Sequence, residues 1–264
     1  MEHVFEVAIL SIVQGVTEFL PVSSSGHLVI CKNLLGLNTP GADLEVALHF
    51  GTLLSVLVYY RKSICGLAAG ICRLESAAWR RAGALALSAV PVAAVYFAFG
   101  SSLEKTFEDP ALVRWTGAFL AATGVLLCAT RFMPPGKSPV TAWKGFAMGC
   151  AQAVALLPGV SRSGSTLSAA RALKAGSADA AEFSFLMCAP LIAGAALLKL
   201  LSPSAPAEGC IEVGAAETCA GVAIAAVSGY FALAFLVRIF KSRFFWLFGP
   251  YCIAAGLTVF FCLR

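Results

Sequence analysis

The chain has 264 residues, 59% of them hydrophobic and only 12% charged, with a mean hydropathy of +0.85. Soluble domains carry about 25% charged residues. Here the deficit extends along the whole length in apolar runs of roughly 17–25 residues, which excludes a soluble helical domain and leaves a multi-span membrane protein. The net charge of +5 is explained by basic cytoplasmic loops before any anionic partner is needed.

In chain order, the N-terminus MEHVFEVAIL carries no basic leader and no A-x-A cleavage site, so it is expected to be retained. The stretch 4–36 is apolar but interrupted by Pro21-Val22-Ser23-Ser24-Ser25-Gly26. Spans are expected at about 44–60, 82–100 and 112–130, with a basic connection at 61–81 and an acidic one at 101–111. A second interrupted stretch, 145–173, is broken at Pro158-Gly159-Val160-Ser161-Arg162-Ser163-Gly164. Three further spans follow at about 183–200, 217–238 and 245–263, separated by acidic 201–213 and basic 238–243. Proline lacks an N–H and restricts the residue before it, so helices stop at such breaks. Broken backbone at membrane depth survives only where protein or a polar cavity covers it. Each interrupted stretch therefore reads as a re-entrant helical hairpin.

The two hairpins resemble each other. Sliding the chain by 138 residues places Gln14 on Gln152, Val16 on Val154, Val22 on Val160, Ser23 on Ser161, Ser25 on Ser163 and Gly26 on Gly164. Basic loops belong in the cytoplasm, which puts 61–81, 174–182 and 238–243 inside, and 37–43 and the acidic loops outside. The first hairpin then enters from outside and the second from the cytoplasm. The expected fold is all-α and polytopic: six transmembrane helices plus two re-entrant hairpins, in one membrane domain (1–264) built of two inverted repeats, about 1–131 and 138–264.

A half-helix that begins at each break aims its free N–H groups and positive dipole end into it. Ser23, Ser24, Ser25 and Gly26 at one break, and Ser161, Ser163 and Gly164 at the other, add hydroxyls and close backbone approach. Arg162 adds a planar fork suited to phosphate oxygens. Together these make an anion site for which phosphate is the natural candidate. Gln14 and Glu18, four apart, share a helical face leading into the first break, and Ser24 and His27, three apart, share the next. A hydroxyl beside an imidazole and a carboxylate is a recipe for an activated nucleophile, and a divalent cation on Glu18 would add charge for phosphoryl transfer. A purely structural Glu18–Arg162 ion pair is the bland alternative. Glu45 and His49 share another helical face, with Glu45 and Glu182 expected at solvated span ends. Arg171 and Lys174 are expected to complement the end of their own half-helix. Ten cysteines, mostly in apolar runs and without C-x-x-C spacing, call for no metal or disulfide framework.

QGVTEFLPVSSSGHL (14–28) with PGVSRSGSTL (158–167) resembles the paired signature of the undecaprenyl-diphosphate phosphatase family, known also for bacitracin resistance. The resemblance implies an integral enzyme of the bacterial cytoplasmic membrane. Such an enzyme hydrolyses C55 polyprenyl diphosphate to the monophosphate carrier for cell-wall synthesis, uses Mg²⁺ or Ca²⁺, and opens its site to the outer face. It places the family's (E/Q)xxxE motif on Gln14 and Glu18, its catalytic Ser and His on Ser24 and His27, and its essential Arg on Arg162. The chain takes the Gln option at the first position and has Ser25 where many relatives carry Thr. Ser24 is the expected nucleophile, with direct attack by water equally compatible. The rival is a transporter or lipid flippase with an anion site at the same tips. No nucleic-acid partner is expected, and homodimerisation stays open.

Overall fold

The computed structural model describes residues 4–35, 43–108, 113–201 and 213–262. Eleven α-helices run through them: α1 Val4–Phe19, α2 Ser24–Leu35, α3 Asp43–Tyr59, α4 Arg61–Cys72, α5 Ser76–Glu108, α6 Val113–Ala129, α7 Ala142–Val154, α8 Arg162–Ala172, α9 Ser177–Leu201, α10 Ala215–Lys241 and α11 Phe248–Cys262. Among the described residues there is no strand, only isolated bridges that join Gly136 to Gly176 and Ser138 to Ala175. Six of these helices (α3, α5, α6, α9, α10 and α11) occupy the six uninterrupted apolar runs. The two interrupted stretches form the pairs α1/α2 and α7/α8, each broken at its Pro and Ser cluster. The acidic residues Asp109, Glu208 and Glu212, and the connection 36–42, lie outside the described residues.

The connection 61–81 differs from the expected loop, because it contains α4. Its half-buried or buried residues Ser63, Ile64, Leu67, Gly70 and Ile71 recur at helical spacing, while Lys62, Cys65, Gly66, Ala68 and Ala69 are exposed. That amphipathic pattern lets α4 lie on α5 without being long enough to cross a bilayer.

Helices in lipid gain nothing from hiding apolar surface from one another, so they associate where small residues let backbones approach. A Cβ on Gly117 of α6 would sit 2.5 Å from the Gly256 carbonyl oxygen of α11, and one on Gly124 would sit 2.7 Å from that of Gly249. Elsewhere α1 packs along α10, α7 along α5, and α3 against α9. Exchange of the two halves of the chain maps these helix pairs onto one another. Fully buried Phe19, Phe183, Phe185 and Phe240 fill the centre, with Phe19 meeting Phe185 edge-on at 5.5 Å.

The exterior is apolar as well: Phe97 is 86% exposed, Phe261 69% and Phe231 68%. Ser76–Gly100, Arg114–Phe132 and Ala215–Lys241 are each long and apolar enough to cross a membrane, and Leu44–Tyr59 and Phe245–Phe261 are shorter apolar helices. An apolar surface around such helices marks an integral membrane protein.

Arg171 does not act as expected at the end of its own helix. Only 2% exposed, it donates from Nη2 to the carbonyls of Phe240 (2.7 Å) and Ser242 (2.6 Å) at the end of α10. Its guanidinium lies over the Phe240 and Phe245 rings. The cation thus satisfies the orphan carbonyls of a different helix and fixes the far end of α8.

Candidate active site

Both breaks are built the same way. After α1 the chain turns through Leu20, Pro21 and Val22, and Ser23 adopts a left-handed φ of 67° before α2 starts at Ser24. After α7 it turns through Leu157, Pro158 and Gly159 to Ser161, the N-cap of α8, whose Oγ accepts from the Gly164 amide at 3.1 Å. Gly159, at φ 91°, lies so close to α6 that a Cβ there would overlap the Thr116 carbonyl. In each copy the two flanking serines contact each other, Ser23 Oγ to Ser25 Oγ and Ser161 Oγ to Ser163 Oγ, both at 3.3 Å. The breaks also touch directly: Ser163 Oγ donates to the Leu20 carbonyl at 3.2 Å.

Glu18 is the hub. One of its oxygens, Oε2, accepts from Gln14 Nε2 (3.0 Å) and Ser24 Oγ (2.8 Å), and lies 3.4 Å from His49 Nε2 on α3. The other oxygen, Oε1, takes the Arg162 guanidinium from the second break. The i, i+4 pairing of Gln14 with Glu18 is thus present, and so is the ion pair foreseen as the bland alternative. Two features accompany the pair. Arg162 Nη1 is buried with no oxygen or nitrogen acceptor among the described residues, and both partners line a cavity of about 280 Å³ between the breaks.

Glu18, Ser23, Ser24, Ser25, Ser161 and Arg162 all line this cavity. Gln14, Gly26, His27, Ser163 and Gly164 do not. Gln14 bonds to Glu18 from behind it, and at Gly164 a Cβ would press on the capping Ser161, 3.1 Å away. His27 turns away: Nδ1–H donates to the Ser23 carbonyl (2.9 Å), which leaves Nε2 to accept from Tyr251 on α11 at 2.6 Å. The imidazole that does reach the cavity is His49. Its Nδ1–H donates to the Glu45 carbonyl at 2.7 Å, so Nε2 faces Glu18. Glu45 itself pairs with Lys32, away from the chemistry.

Comparison with known proteins agrees with the motif resemblance. The sequence model described as bacitracin resistance protein BacA matches residues 7–258. The chain belongs to the BacA family. The undecaprenyl-diphosphatase of Desulfatibacillum aliphaticivorans is 37% identical over 97% of this chain and 98% of its own length. The protein of that name from Trichlorobacter lovleyi is 38% identical over 96% and 94%, and that from Desulforudis audaxviator 39% identical over 97% and 96%. Of the five positions that the BacA-type motifs single out, the structure gathers Gln14, Glu18, Ser24 and Arg162 into one hydrogen-bonded cluster and leaves His27 on the α11 side. His49 joins them from α3. Its only sequence signal was the face it shares with Glu45.

Proposed function

We propose that the chain hydrolyses undecaprenyl diphosphate to undecaprenyl phosphate and inorganic phosphate, which recycles the lipid carrier of cell-wall synthesis and thereby confers bacitracin resistance. The observation that carries this reading is the Ser24 hydroxyl held 2.8 Å from the Glu18 carboxylate at a cavity shared with Arg162. An anion binder needs the arginine and the amides; it does not need a hydroxyl placed against a buried base.

The terminal phosphate enters between the first amides of α2 and α8, and Arg162 exchanges part of its contact with Glu18 for phosphoryl oxygens. Ser24 Oγ attacks the terminal phosphorus and its proton passes to Glu18. The bond from phosphorus to the bridging oxygen breaks, and undecaprenyl phosphate leaves with the proton from Glu18, which is a carboxylate again. Water then attacks the phosphoserine and gives a proton to Glu18, the bond from phosphorus to Ser24 Oγ breaks, Glu18 returns that proton to Ser24 Oγ, and inorganic phosphate departs. Gln14 and His49, at 3.0 Å and 3.4 Å from the same oxygen, orient Glu18. His27 sets the position of the first break through its bonds to Ser23 and Tyr251.

Among the described residues no three His, Cys, Asp or Glu side chains gather, so a wholly protein-made metal cage is not the fitting design. Mg²⁺ is commonly held by one or two carboxylates together with substrate phosphates, and Glu18 with the Ser24 hydroxyl offers that donor set for Mg²⁺ or Ca²⁺. When bound, such a cation neutralises charge on the diphosphate.

In this reading the helical pairs α1/α2 and α7/α8 are re-entrant hairpins of an inverted repeat in the bacterial inner membrane, with six spans around them and the site open to the periplasmic face. The exchangeable helix pairs and the matching Ser–Ser contacts support it. The test is phosphate release by purified protein in detergent from a long-chain prenyl diphosphate, with Mg²⁺ or Ca²⁺ and then EDTA. Metal-dependent release is expected. A folded protein that binds the lipid but releases no phosphate would point to a transporter instead.

A further inference from the structure

Gln152 is the repeat counterpart of Gln14, and its surroundings differ in one respect. Four residues after Gln14 stands Glu18, which accepts its amide; four residues after Gln152 stands Leu156. Gln152 is only 3% exposed and lines the cavity beside Arg162 and Ser161. Neither its Nε2 nor its Oε1 has a hydrogen-bond partner among the described residues. A buried amide left unmatched in this way is costly. Gln14, by comparison, keeps one orphan oxygen and lies outside the cavity lining.

We infer that Gln152 is a substrate-contacting residue: its Nε2 donates to an oxygen of the terminal phosphoryl group that Arg162 holds, and its Oε1 accepts from the hydrogen of a protonated phosphate oxygen or of a water bound to it. A phosphate monoester or its hydration shell presents an acceptor and a donor together, which is what an amide with two free ends requires. A carboxylate at this position would repel the phosphate and capture Arg162, and a lysine would offer no acceptor. The second hairpin thus carries the glutamine without the carboxylate: one carboxylate serves the nucleophile, and the amide serves the terminal phosphoryl group. This assignment rests on the phosphatase reading above.

The test is Gln152→Met, close in volume, with Gln152→Glu beside it, in full-length protein purified in detergent. Each is measured for kcat and KM on a prenyl diphosphate, for competitive inhibition by inorganic phosphate, and for its thermal unfolding midpoint. Gln152→Met should lose about 10- to 100-fold in kcat/KM, the scale of a hydrogen bond to a charged group, and weaken phosphate inhibition. Its unfolding midpoint should stay level or rise, since an unsatisfied buried group has been removed. Gln152→Glu should weaken phosphate inhibition further. Wild-type kcat/KM and phosphate inhibition in Gln152→Met would overturn the proposal. So would loss of activity that merely tracks a lowered midpoint, which is the mark of a packing residue. A wild-type protein that releases no phosphate would instead sink the phosphatase reading, and the role of Gln152 with it.

Discussion

At the first break Glu18 gathers Gln14, Ser24 and Arg162 around one carboxylate, whereas 138 residues further on Leu156 stands in its place and Gln152 faces the cavity unpaired. The two sides share a plan, a helix that ends shortly before a proline, two serines in contact across the turn and a new helix starting there, while the left-handed residue is Ser23 on one side and Gly159 on the other. What has diverged is the charge. The first break holds the carboxylate and Ser24, and the second holds the guanidinium, at the position where the first has Ser24. The proposed hydrolysis needs this difference: two carboxylates would repel a diphosphate, and two arginines would leave nothing to take a proton.

The sharpest way to break this comparison is to remove Ser24, whose hydroxyl has no counterpart at the second break, where Arg162 stands. Ser24→Ala should lower kcat by about 10³-fold or more, as removal of a nucleophile does, while lipid binding persists. Near-normal phosphate release from this variant would make water the attacking group and reduce the first break to a base and a dipole. Arg162→Lys keeps the charge of the second break and removes its fork. A loss of about 10²-fold in kcat/KM is expected, and wild-type kinetics would mean that the guanidinium is there only to neutralise Glu18. Leu156→Glu tests the divergence itself by giving the second break the carboxylate it lacks. The new group would compete with Glu18 for Arg162 and with phosphate for Gln152. Activity should drop by about 10-fold or more, measured as phosphate release at saturating prenyl diphosphate.

Much of the scaffold that makes this comparison possible was legible in the residues. Length and hydropathy located six apolar helices, and Pro21 and Pro158 located the two interruptions, because proline and its neighbours act on the backbone wherever they stand. The 138-residue offset in the sequence placed Ser23 on Ser161 and Ser25 on Ser163, positions whose serine contacts turn out alike. Pairing of Gln14 with Glu18 followed from helical periodicity alone. Three things did not follow. Helix α4 is amphipathic but too short to span, and Arg61 and Lys62 at its start with Arg73 just beyond its end made it look like loop. Arg171 reaches Phe240 and Ser242, some seventy residues away, a contact that only tertiary packing creates. His49 meets Glu18 from another helix for the same reason.

The i, i+3 rule also misled at Ser24 and His27. It describes neighbours on a helix surface, and Ser24 is the first helical residue, with its side chain free to turn back into the break. His27 lies one turn in and leans instead on Ser23 and Tyr251. The two histidines therefore offer the finest cut on the comparison. His49→Gln should reduce kcat by about 10- to 100-fold, since it takes the imidazole from beside Glu18. Tyr251→Phe, which removes one hydrogen bond from His27 and leaves the cavity lining intact, should cost no more than about 10-fold, the worth of a single net bond. Both are read as phosphate release alongside a thermal unfolding midpoint. If the order reverses, with Tyr251→Phe more damaging than His49→Gln, then the imidazole on the α11 side turns inward during catalysis and the first break works as a moving part. If the order holds, the break is a fixed frame: His27 and Tyr251 secure it from outside, and the proton passes through Ser24 and Glu18 while His49 holds Glu18 in place.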